Sequence, residues 1–146
     1  MSSLRPVVLC LPGGAPPEDP GPDETARRNV ELLERLDERP VGVVGWAGGG
    51  LDALRLAVRR PDLVERLVLV ATPFPEDESG LDLDAVGAKT LLLFGTADPL
   101  TGSRHGRAWQ RRLPNARLEL WPGGGHDLLG PCWGRVLAHL APRTRA

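Results

Sequence analysis

Apolar residues gather along this chain in short continuous runs, and between the runs they recur every three or four positions. Five runs read as strands, over residues 6–11, 41–45, 66–71, 89–94 and 116–121. Most lack polar alternation, the pattern of strands covered on both faces. The intervening stretches read as amphipathic helices. Ala26, Val30 and Leu33 follow a cap at Asp23, and Leu51, Leu54 and Val58 follow a turn of glycines. Ala108, Trp109 and Leu113 follow a cap at Ser103, and Trp133, Val136, Leu137 and Leu140 follow Pro131, a residue suited to a first helical turn.

Strand alternating with helix predicts an α/β domain. We expect a three-layer sandwich whose mainly parallel sheet of about five strands is joined by right-handed crossovers. Two connections are irregular. Residues 13–22 are rich in proline, glycine and acid, and 73–87 (PFPEDESGLDLDAVG) reads as a solvated acidic loop, long enough for a short flap over a site.

Length and charge narrow the picture. With 146 residues the chain suffices for a single domain spanning 1–146, its last residues 142–146 a frayed tail. The balance of 18 basic and 19 acidic residues offers no electrostatic footprint for nucleic acid or an anionic membrane surface. Cys10 and Cys132 have neither metal-ligand nor redox spacing and are expected to pack as small apolar residues. No metal or cofactor is called for. The opening apolar run is too short for a signal core and no later run approaches a membrane span, so the expectation is a cytoplasmic protein.

In a parallel α/β sheet, sites form at the carboxyl ends of the strands. Those ends here carry Pro12-Gly13-Gly14, Trp46-Ala47-Gly48, Thr72-Pro73, Gly95-Thr96-Ala97-Asp98 and Gly123-Gly124-Gly125-His126. The segment VGVVGWAGGGLDAL would contain a G-x-S-x-G nucleophile turn if Ala47 were serine. Asp98 and His126 follow in the order acid, then base, each after a strand. A bland reading exists for both, as a turn former before Pro99 and as a packed loop histidine. Their joint order favours chemistry. His105 and His139 read as surface or packing residues on helices, and Trp109, Trp121 and Trp133 as core. Arg104, Arg107 and Arg111 share one exposed helical face. Gly48-Gly49-Gly50-Leu51-Asp52-Ala53 also fits a dinucleotide fingerprint. The next strand, however, ends in Ala71-Thr72-Pro73 without the acid that would hold a ribose.

Residues 41–140 resemble the α/β-hydrolase fold family. VVGWAGGGLDALRLAVRRPDLVERLVLVATP is similar to its nucleophile-elbow strand, helix and following strand; LLLFGTADPL to its acid strand and turn; and ELWPGGGHDLL to its last strand and histidine loop. The resemblance implies a reduced fold without a cap domain. Ala47 falls on the nucleophile position, Asp98 on the acid and His126 on the base. Gly48 becomes one oxyanion donor and Gly13 or Gly14 the second, since Pro12 has no N–H. Trp46 and Pro12 would flank the substrate. The implied activity is a small serine hydrolase acting on a small-molecule carboxyl ester or thioester. Ala47 stands as an engineered replacement that silences it. Two alternatives stay open: a natural nucleophile-less protein in which His126 and Asp98 act as a non-covalent general base, or a binding module.

Overall fold

A computed structural model of the chain describes residues 7–11 and 41–140. Its sheet is built from β1 (Val7–Leu11), β2 (Val41–Trp46), β3 (Val64–Val70), β4 (Lys89–Gly95) and β5 (Ala116–Trp121). All neighbours pair in parallel and the spatial order is the chain order. Three helices are described: α1 (Gly49–Arg59), α2 (Gly102–Arg112) and α3 (Trp133–Leu140). The predicted helix behind Asp23 lies outside the described residues.

The apolar runs are explained by two cores, one on each face of the sheet. Successive residues of a strand point to opposite faces. Leu67 and Leu69 of β3 and Leu92 and Phe94 of β4 therefore join one cluster with Leu54 and Ala57 of α1 and Trp109 of α2. Val68, Val70, Leu91 and Leu93 join the other with Cys132, Val136 and Leu140 at α3. Both crossover helices lie on the first face, as a sheet that grows in one direction with crossovers of one hand requires. Gly42 of β2 lets α3 come close, because a Cβ there would sit 2.8 Å from Leu140 Cβ.

Three details depart from the expectations. The cap of α2 is Thr101 rather than Ser103, and its side chain makes no capping bond, because its hydroxyl is committed to Asp98. Trp133 is not core: it is 37% exposed beside Leu137, while Val136 and Leu140 carry the buried stripe of α3. The connection 73–87 is not a free solvated loop. Leu83, in the short 3-10 turn Leu83–Ala85, and Val86 are buried in the first core, while Glu76, Asp77, Asp82 and Asp84 face water together with Ser79, Gly80, Ala85 and Gly87. Glu78, within that acidic stretch, is only partly exposed and accepts from Arg112 at 2.6 Å; on α1, Asp52 is likewise partly exposed and accepts from Arg55 at 3.5 Å. Cys132 is fully buried and its thiol is pushed up to about 11 by burial, as a packing residue should be.

Candidate active site

The turn between β2 and α1 is unusual. Ala47 is left-handed, with φ +51°, a conformation that costs an alanine on the order of 1–3 kcal/mol. Its N–H donates to Val70 O at 2.8 Å, and its carbonyl accepts from Gly50 N at 3.0 Å, so the turn is held from both sides. Gly45 is required here, since a Cβ would overlap Gly49 O and Gly50 N. Gly48, exposed, is the N-cap of α1. Amides at a helix start have no partner within the helix and face outward as donors.

Two strands away, Gly95-Thr96-Ala97-Asp98 leaves β4. The Asp98 carboxylate is buried and spoken for on both oxygens. Oδ1 accepts from Leu100 N at 2.8 Å; Oδ2 accepts from Thr101 Oγ1 at 2.6 Å and lies 2.9 Å from His126 Nδ1. Burial opposes the charge, but the bonds from Thr101, His126 and Leu100 together outweigh it and hold the carboxyl below its ordinary 3.8. It is thus an acceptor at neutral pH, so His126 Nδ1 carries the proton and Nε2 keeps its lone pair.

That tautomer singles out one histidine of three. His105 Nδ1 accepts from Phe74 N at 2.8 Å, so its Nε2 holds the hydrogen. His139 Nε2 faces Lys89 O at 2.9 Å and must donate to it. Only His126 offers an Nε2 acceptor on a side chain fixed by a buried carboxylate.

The acid and base loops are knitted together by backbone. Ala97 N donates to Gly124 O at 2.9 Å, Thr96 N to Trp121 O at 3.0 Å and Gly123 N to Thr96 Oγ1 at 2.8 Å. A Cβ on Gly95 would overlap Gly124 O. We therefore expect Gly95→Ala to push the loops apart, costing about 1–3 kcal/mol of stability and disordering the Asp98–His126 bond. Denaturant melts, together with the low-field Nδ1 proton signal of His126, check this; an unchanged melt and signal would refute it.

His105 pins the 73–87 connection rather than catalysing. Phe74 bonds to it and stacks edge-on against Trp109, with ring centroids 4.7 Å apart. Burial, then the Arg104 charge, lowers its pKa from the ordinary 6.5. A histidine held neutral in the fold stabilises above its unfolded pKa and loses that stability as pH falls below about 6.5 toward the lowered value. Tm should accordingly drop between pH 7 and 5. His105→Asn, whose amide oxygen can accept the Phe74 N–H, should flatten part of that drop; an identical pH slope in the variant would exclude His105 as its source.

Ala47, Gly48, Asp98 and His126 lie at the carboxyl ends of β2, β4 and β5. Trp46 reaches His126, with ring centroids 5.3 Å apart and Nε1 donating to His126 O at 3.0 Å. Pro12, Gly13 and Gly14 lie outside the described residues. Sequence reading missed the partnership of Thr101 with Asp98; its spacing of three from an acid at a helix start was the available signal. Among the described residues no cluster could hold a metal ion and no helix is long and apolar enough to cross a membrane.

Comparison with known proteins gives three findings. The family model of TAP-like proteins, of the α/β-hydrolase class, matches residues 67–139. Homoserine O-acetyltransferase of Haloferax volcanii is 37% identical over 101 residues, 68% of this chain and 23% of that protein, and the pimeloyl-[acyl-carrier protein] methyl ester esterase of Chromobacterium violaceum is 46% identical over 75 residues, 49% and 29%. The chain thus matches less than a third of the length of these relatives. The crystal structure of an α/β-hydrolase enzyme from a Medee basin deep-sea metagenome library superposes with TM-score 0.82 at 14% identity, covering 100% of this chain and 92% of that one.

Proposed function

Because the chain belongs to the α/β-hydrolase family, we propose that it is a serine-hydrolase domain in nucleophile-less form, with Ala47 at the nucleophile position, Asp98 as acid and His126 as general base. The observation that carries this reading is the Asp98–His126 pair at 2.9 Å, its Nε2 left as an acceptor, at the same sheet end as a left-handed residue that opens a helix. Strain at such a turn is hard to justify without a side chain to present.

In the reaction, a serine hydroxyl at position 47 would lose its proton to His126 Nε2 while attacking an acyl carbon. Asp98 stabilises the imidazolium, and His126 then returns the proton to the leaving oxygen or sulfur. Gly48 N–H is one oxyanion donor. Support for Gly13 or Gly14 as the second comes from the register of β1, which pairs Leu11 with Gly45 and so ends beside the elbow strand. A small carboxyl ester or thioester is the substrate class. The names of the two relatives, an acetyltransferase and a methyl ester esterase, both denote acyl chemistry.

The intact pair also supports a second reading, in which His126 is a non-covalent general base in the chain as given. Ala47→Ser treated with a fluorophosphonate probe tests the first. Stoichiometric labelling at residue 47, absent in the parent, is expected. No labelling of a folded variant would overturn the hydrolase reading.

A further inference from the structure

We propose that Trp46 is a positioning residue that fixes His126 against the elbow, rather than a wall of the acyl pocket; the inference rests on the reading of His126 as the base. Trp46 ends β2 and is paired with Val70 in register. Its side chain lies on the α3 face of the sheet, where it packs with Trp121 and Leu129 against the buried cluster that includes Val44, two residues before it. From there the indole bridges 80 residues of chain to the base loop.

Two contacts define the bridge. Nε1–H donates to the His126 carbonyl at 3.0 Å, and the indole lies 5.3 Å from the imidazole at an interplanar angle of 50°. The first fixes where the His126 backbone sits, and the second limits how its ring tilts. Both are needed. The backbone bonds around Gly124 secure His126 to the acid loop, and those of Ala47 secure the elbow to β3. Among the described residues no backbone hydrogen bond joins the turn at 47–50 directly to loop 122–127. The elbow and the base are therefore registered through an indole. Its only donor is already spent on a carbonyl, which leaves none for a substrate. When His126 takes up a proton, the imidazolium that forms faces an aromatic ring, an attraction absent from the neutral ground state. Loss of Trp46 should therefore fall on kcat.

Trp46→Phe keeps a ring and removes the donor; Trp46→Leu removes both. In the chain as it stands, His126 ring protons followed by two-dimensional NMR should shift in Trp46→Phe. In Trp46→Leu they should lose the indole ring-current displacement and broaden or split as the loop samples several positions. With Ala47→Ser added, kcat on a short activated ester should fall about 10-fold for Phe and about 100-fold for Leu, with KM within about twofold, the scale expected when a reacting group is displaced by an ångström or so. A raised KM with kcat held would make Trp46 a pocket wall and overturn the proposal, as would His126 signals that stay sharp and unmoved in the Leu variant. Should Ala47→Ser prove inert, the NMR arm decides alone. Altered His126 signals would then uphold Trp46 as its support while the hydrolase reading fails. Thermal melts establish that each variant is folded.

Discussion

Ala47→Ser is expected to raise kcat/KM on short activated esters by about 10³-fold or more over the parent, roughly 4 kcal/mol of transition-state stabilisation. The substitution adds one oxygen to a backbone that is already left-handed at φ +51°. Alanine and serine bear the same Cβ penalty there, so the turn incurs little new strain. What the oxygen gains is a base whose tautomer is set, since His126 Nδ1 is 2.9 Å from Asp98 Oδ2. Under the proposed reading, the parent keeps only what binding and oxyanion donors provide without a nucleophile. Initial rates on p-nitrophenyl acetate and butyrate measure the difference, and parent-level turnover in a folded variant would refute it.

The second large effect concerns the acid. In the Ala47→Ser background, Asp98→Asn should reduce kcat by about 10³ to 10⁴ with a smaller change in KM. Asparagine keeps an oxygen for Leu100 N. Its amide nitrogen, placed at the Oδ2 position, would donate both toward Thr101 Oγ1 and toward His126 Nδ1. The imidazole must then carry its hydrogen on Nε2, and the lone pair that should take the serine proton is gone. The same substitution has a signature in stability. Burial works against the Asp98 charge, yet its hydrogen bonds hold the carboxyl below 3.8. Its contribution is therefore full above pH 3.8 and is lost as pH falls through the lowered value. Asp98→Asn should lose that segment of the acid denaturation curve. A variant with parent-like kcat would remove Asp98 from the catalytic role.

Much of this was legible before any coordinates. The runs 41–45, 89–94 and 116–121 match β2, β4 and β5 to within a residue at either end. In β2 and β4 the unbroken apolar run is that of strands covered on both faces, whereas β5, none of whose residues is fully buried, alternates apolar and charged positions. The Asp98–His126 partnership followed from the order of two short motifs after successive strands. Other features depended on tertiary context. Leu83 and Val86 lie three apart in an acidic stretch, too sparse to announce that they enter the core. Of the four apolar positions read along α3, Val136 and Leu140 are buried, whereas Trp133 and Leu137, also four apart, are each 37% exposed, a split that helical spacing does not decide. The indole of Trp46 could not be assigned to His126, since nothing local relates residues 80 apart.

The strand order has a kinetic meaning. Each strand pairs with the one that precedes it in the chain, so the sheet can zip in sequence through short closures, with modest entropy lost at each step. The link between Trp46 and His126 is different, because it joins residues 80 apart in the chain, with β3, β4 and β5 between them. In refolding, near-ultraviolet signals from that aromatic pair should thus trail the far-ultraviolet recovery of the sheet. The constellation at the sheet's end would then mature late, and its appearance would report that β2 to β5 have come together.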